Sequence, residues 1–381
     1  MRDGKVDQWL TSQPPIGAEI GVEFMPTGRW HSLQQYNNAS VGLALTYLNL
    51  GNNQKLGNVV APYAYLRVPF VSLPHFEFGV RAGLGVAFCD KRYVNTVADG
   101  QLWKSVQDAN QSIGSVANIY LPEVLFFDFP LSHGWSIGAS FGWYHVSNGS
   151  VLQPNSGYNM FLGEISATYQ PSADRYTAPP TDPPSGLYDG KRWDVEMSVA
   201  GGVRQAYYRD RHFFGAGSVT IAAHYRPWSI FKIGGGIDVF YDGYYRSVNV
   251  NPQEGDIRTY FQKTYLAESD IKNCFRVGVS LQPEFVVGNF TAGFHFGVYL
   301  YDNIKNLEPK KEVEQNGGPF KRGVFYPYDI LNAGSAGHQD GWLYTRILLK
   351  YRCTQHLFVQ LGLKAHLTKA EFVDAGIGVA I

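Results

Sequence analysis

The chain has 381 residues, including 42 Gly, 24 Phe and 25 Tyr; 17% are charged and the net charge is zero. A soluble globular domain is nearer about 25% charged, and a balanced charge gives nothing to attract a nucleic-acid partner. Cys89, Cys274 and Cys353 have no metal-type spacing and cannot all pair, so they read as isolated strand residues. No run of about 18 apolar residues is present, which excludes a transmembrane helix. The opening MRDGKVDQW has no apolar h-region, so no signal peptide is read there and the chain is taken as a mature form.

Residues 1–39 leave three readings open: a periplasmic segment, an interior plug, or further strands. From 40–50 onward, period-two alternation recurs along almost the whole chain. In 76–88 Phe76, Phe78, Val80, Ala82, Leu84, Val86 and Phe88 oppose Glu77, Gly79, Arg81, Gly83 and Gly85. In 135–144 Trp135, Ile137, Ala139, Phe141 and Trp143 oppose Ser136, Gly138, Ser140, Gly142 and Tyr144. The Pro-rich PSADRYTAPPTDPPSG (171–186) interrupts the pattern. It then resumes, with Phe275, Val277, Val279, Leu281 and Phe285 against Arg276, Ser280, Gln282 and Glu284, and runs to Ile381.

A soluble sandwich and an outer-membrane barrel both alternate in this way. The apolar faces extend over roughly 9–11 residues, the length a tilted strand needs to cross a bilayer. The opposite faces mix Gly, Ser and charges of both signs, as a closed polar interior does. Tight connections near 71–74, 131–134, 228–230 and 288–289 alternate with long ones near 90–116, 248–270 and 304–339. That is the rhythm of short periplasmic turns and long external loops.

Residues 121–148 parallel 281–303, and 65–90 parallel 224–242. The prediction is an all-β, antiparallel transmembrane outer-membrane β-barrel of about 14 strands with an internal six-strand repeat. Its parts are an N-terminal segment 1–39, a half-barrel 40–171, a Pro-rich connection 172–190 and a second half-barrel 191–381. Two smaller barrels joined at 171–190 are the competing architecture. KIGGGID and GVRAGLG precede no helix and contain no phosphate-loop Gly-Lys-Ser, so they read as small residues in a barrel wall. KNLEPKKEVEQ (305–315) reads as a solvated external loop. None of the ten histidines lies in an HExxH-type motif, so no metal or other cofactor is expected.

Strand parity isolates one polar group on the lipid side. Continuing the outward series Trp135 to Trp143 by twos gives His145 and then Ser147. In the next strand Asn159 shares parity with the outward residues Phe161, Ile165, Ala167 and Tyr169. Neighbouring strands lie about 4.8 Å apart, so a serine, a histidine and an amide can converge at the membrane interface. Without further information, a polar rim with no chemistry explains them equally well.

At these residues the sequence resembles the lipid A 3-O-deacylase (PagL-like) and acyloxyacyl hydrolase family of the outer membrane. The motif stands here as His145-Val146-Ser147-Asn148, then Pro154-Asn155-Ser156-Gly157-Tyr158-Asn159, and the resemblance covers roughly residues 40–171. It implies an outer-membrane barrel of a Gram-negative cell that cleaves an ester-linked acyl chain from lipid A in lipopolysaccharide, or from a related outer-leaflet lipid. By that resemblance Ser147 is the nucleophile, His145 the general base, and the stretch around Asn148 and Gly149 the source of oxyanion donors. Pro154, Asn155 and Gly157 support the motif.

The family carries Glu where this chain has Asn159. An amide oxygen can orient the imidazole but brings no charge. Glu164 is close in sequence but has inward parity. In the second half Leu300 and Asp302 align with His145 and Ser147, so that half looks like wall without a site. Two other functions stay open at this point: a pore or transport barrel with Arg81, Glu77, Arg276, Glu284, Lys232 and Asp238 lining its lumen, and a catalytically silent lipid-binding barrel. Trp143, Phe161 and Tyr169 are expected to form an aromatic girdle level with the site, and a slot beside the 148–158 loop is expected to take one acyl chain.

Overall fold

A computed structural model describes residues 13–24, 33, 36, 39–93, 112–171, 192–205, 212–228, 230–246, 271–302, 342–366 and 369–381. The chain forms two compact units, Gly4–Asn148 with Pro154–Gly186, and Leu187–Ile381 with Gly149–Gln153. Among the described residues both are built of antiparallel strands, and no helix is long and apolar enough to cross a membrane.

The first unit is a seven-stranded sheet in sequential order. Its strands are β1 (Ile16–Phe24), β2 (Ser40–Asn49), β3 (Asn58–Leu73), β4 (Phe76–Cys89), β5 (Ala117–Pro130), β6 (Trp135–Ser147) and β7 (Tyr158–Tyr169). Alternation decides which side chains go where. On β5 the even residues Asn118, Tyr120, Val124 and Phe126 are buried, while Leu125, Phe127 and Phe129 are exposed. The inward face packs tyrosines 63, 65, 120 and 144 around small residues. Gly42 is required there, because a Cβ would come within 2.1 Å of the Tyr65 ring. Arg67 pairs with Glu77 and Asp128, and Arg81 reaches both Glu19 on β1 (2.8 Å) and Glu164 on β7 (3.1 Å).

The second unit is a closed eight-stranded barrel. It comprises β8 (Trp193–Arg204), β9 (Phe214–Trp228), β10 (Phe231–Asp242), β11 (Phe275–Val287), β12 (Phe290–Asp302), β13 (Leu343–Arg352), β14 (Leu357–His366) and β15 (Lys369–Ala380), and β15 pairs back onto β8. Its interior is filled with charges in layers. Lys232 bridges Asp194, Glu196 and Glu284; Lys350 joins Glu196 and Glu284; Arg346 lies between Asp238 and Asp374; and Arg276 contacts Asp302 and Glu371.

Short connections fall where they are expected, at 131–134 and 288–289 and between Trp228 and Phe231, and the first predicted turn sits at 74–75. Two features differ from the sequence reading. There are fifteen described strands instead of about 14, because β1 pairs with β2 along its full length and is a further strand within 1–39. The strands also do not join into one ring: β15 finds its partner in β8, so the second half closes on itself and β1–β7 form a separate sheet. Sequence periodicity says which face of a strand is apolar but not which strand pairs with which. The Pro-rich connection 172–190 and the charged run 305–315 lie outside the described residues.

Candidate active site

The site is built on the outward face of β6 and its two neighbours. In the ladder His145 lies opposite Asn159 of β7 and Leu121 of β5, while Ser147 lies opposite Ile119. Because side chains on one strand face recur every two residues, Trp143, His145 and Ser147 form a line up the outward wall. His145 Nε2 is 2.8 Å from Ser147 Oγ, and His145 Nδ1 is 2.8 Å from Asn159 Oδ1. An amide oxygen can only accept, so that contact places a proton on Nδ1 and leaves the Nε2 lone pair to accept from the serine hydroxyl. The indole of Trp143 stacks on the imidazole, with centroids 5.1 Å apart at 27°.

The loop between β6 and β7 is held by bonds within it and to the segment that precedes β5. The N–H of Asn148 donates to Asn155 Oδ1 at 3.0 Å, and the Asn148 amide donates to Ser115 Oγ at 2.8 Å. An oxyanion role for the Asn148 N–H therefore requires that bond to be exchanged on substrate binding. Gly149 follows with φ +62°. Pro154 is buried at the start of the return segment. Gly157 has φ +72°, and a Cβ there would lie 3.2 Å from His145 Cε1, so glycine is required both by the backbone and by the imidazole beside it. The N–H of Gly157 bonds the carbonyl of Ser112, a contact that the motif alone did not reveal.

Three further expectations are resolved here. Phe161 lies opposite Trp143 and is 70% exposed, level with the site, but Tyr169 is opposite Trp135 at the far end of β6. β7 runs away from the rim, and ten residues at about 3.3 Å each carry Tyr169 across the wall. An acyl slot beside the 148–158 loop would have to reach a serine that is 2% exposed. Glu164 faces inward as parity requires, accepting bonds from Ser140 and Arg81.

In the closed barrel of the second unit Leu300 is exposed while Asp302 turns inward to Arg276, so no serine and histidine share an outward row at that position. Glu196, His224 and Glu284 bring their ligand atoms within 4.8 Å of one another. Lys232 and Lys350 already engage both carboxylates, so the cluster has no uncompensated negative charge with which to hold a divalent cation. The charged residues assigned to a lumen (Arg81, Glu77, Arg276, Glu284, Lys232 and Asp238) all take part in interior ion pairs.

Antiparallel strands with apolar outward faces and an ion-paired interior define an outer-membrane β-barrel protein. Residues 16–168 match the family model of lipid A 3-O-deacylase (PagL), and residues 193–313 with 328–381 match that of the acyloxyacyl hydrolase C-terminal domain. The chain belongs to this family of outer-membrane lipid hydrolases, in the Gram-negative outer membrane. No curated relative matches it. Among solved structures it is similar to outer membrane phospholipase A from Escherichia coli (10% identity, 97% of this chain and 96% of that one, TM-score 0.17). It is also similar to the FrpB iron transporter from Neisseria meningitidis (10% identity, 90% of this chain, TM-score 0.19), of which it spans 61% of the length. Similarity at these scores carries no argument about activity.

Proposed function

We propose that the protein removes an ester-linked acyl chain from lipid A, or from a related outer-leaflet lipid, by Ser-His chemistry at the lipid-facing rim. The observation that carries this reading is the continuous hydrogen-bonded array Ser147–His145–Asn159, both contacts 2.8 Å, on the outward face of a membrane strand. His145 Nε2 takes the Ser147 proton as Oγ attacks the ester carbonyl. The tetrahedral intermediate collapses, the Nε2 proton goes to the departing alkoxide, and the acyl chain remains on Ser147. His145 then deprotonates a water molecule, which releases the fatty acid and restores the serine. Asn159 fixes the imidazole tautomer throughout.

Mass spectrometry of lipid A incubated with the purified protein in mixed micelles tests the reading. Loss of one acyl chain is expected, and Ser147→Ala should abolish it. Unchanged processing by Ser147→Ala would remove the serine mechanism. A catalytically silent barrel is the second reading, favoured by one feature, the amide at Asn159 in place of a carboxylate; wild-type protein without acyl loss would select it.

A further inference from the structure

The outward faces of β1–β7 are free of formal charge with one exception. Among their described strand residues the only outward Asp, Glu, Lys or Arg is Glu123 on β5. It shares parity with the exposed Leu125 and Phe127, while the other charged residues of these strands point inward. An ionisable side chain on a lipid-facing wall costs several kcal/mol and by default marks a functional position. Among the described residues neither a hydrogen bond nor an ion pair engages its carboxylate.

Its place in the ladder supplies a reason. Glu123 lies opposite Trp143, and its strand neighbour two residues away, Leu121, lies opposite His145. Glu123 and His145 are therefore diagonal cross-strand neighbours, positions whose Cβ atoms are about 7–8 Å apart in such ladders, with the Trp143 ring stacked on the imidazole. The other side chains facing the imidazole are Ser147 and Trp143 on its own strand, Leu121 on β5 and Asn159 on β7, and all are uncharged. Gly157, beside its Cε1, adds no side chain.

We infer that Glu123 supplies, from the next outward row, the negative charge that Asn159 lacks, stabilising the imidazolium of His145 while Ser147 attacks. This rests on the hydrolase reading above. In this scheme Glu123 acts as a carboxylate and takes no proton; the serine proton remains on Nε2 until the leaving alkoxide removes it. Glu123 is a positioning residue in this scheme, acting on the imidazole through space. With the two charges set as far apart as the Cβ atoms, about 7.5 Å, and an effective dielectric of about 40 to 20, the interaction corresponds to about 6- to 40-fold in rate.

The test uses the full chain in lipid A mixed micelles. Glu123→Gln should lower kcat by about 6- to 40-fold with KM unchanged, because the imidazolium exists only along the reaction path. Glu123→Asp should recover most of the loss. In the inactive Ser147→Ala protein, NMR titration of His145 should move to lower pH by about 0.8 to 1.6 units when Glu123→Gln is added. A rise in KM with kcat intact would overturn the inference by making Glu123 a substrate contact. So would unchanged kinetics with an unmoved His145 titration, while Ser147→Ala still abolishes turnover. If Ser147→Ala is fully active, the hydrolase reading itself fails, and the titration alone decides whether the two charges are coupled.

Discussion

Replacing Asn159 by aspartate isolates the missing charge, because the two side chains have the same shape. The present contact, His145 Nδ1 to Asn159 Oδ1 at 2.8 Å, survives the exchange, and the acceptor gains a full negative charge next to a ring that becomes cationic during attack. Taking the charge centres about 4 Å apart, the attraction is about 4 kcal/mol at an effective dielectric of about 20. Asn159 is exposed at the rim, so screening reduces this to about 2 kcal/mol, or roughly 30-fold in turnover. Asn159→Asp should therefore raise kcat by that factor with little change in KM. Asn159→Glu should also preserve or raise activity, and Asn159→Ala should lower kcat by removing the orienting acceptor. The assay is release of fatty acid from lipid A in mixed micelles, at saturating substrate and above about pH 6 so that the carboxylate is ionised. A fall in kcat for Asn159→Asp, alongside an inactive Ser147→Ala, would refute the electrostatic reasoning and leave Asn159 a purely steric part of the site.

Gly157→Ala should cost about 1–2 kcal/mol through its left-handed backbone and also press on His145 Cε1. Both a lower unfolding midpoint in denaturant and a reduced kcat are expected; an unchanged kcat would mean the loop yields without moving the imidazole. Arg346→Met should destabilise the second barrel by about 3–5 kcal/mol, because it leaves Asp238 and Asp374 buried without their cation. The shift of the folded band with temperature on gels measures that loss, and a band as heat-resistant as the wild type would mean that the two aspartates become protonated without cost.

The placement of the site was legible because parity survives without knowing the partners of a strand. Trp143, His145 and Ser147 occupy one face whichever neighbours β6 has, and a single step in register put Asn159 beside His145. What parity could not supply was closure. Nothing in the alternation of β15 distinguishes β8 from β1 as its partner, and that choice alone separates one large ring from a small ring and a sheet. Tyr169 was misplaced for a related reason: it shares a face with Phe161, but direction along an antiparallel strand carries it to the opposite rim. The engagement of Asn148 by Asn155 and Ser115 depends on loop geometry with no periodic trace. Glu123 drew no notice in the sequence, and only the ladder put it one row from the imidazole.

Seven is an odd number of strands, and this has a consequence for the first unit. With every neighbour antiparallel, β1 and β7 run in the same direction, so an antiparallel ladder cannot close between them. Arg81 ties the two margins together by ion pairs to Glu19 and Glu164, side chain to side chain. The strand pair that carries Ser147, His145 and Asn159 thus borders a margin that is laced and not knitted, whereas the eight strands from β8 to β15 satisfy one another's main-chain groups around a full ring. Of the two units, the one without the serine and histidine is the self-sufficient scaffold, and it is the natural starting point for trimming the chain to a minimal membrane-inserted piece.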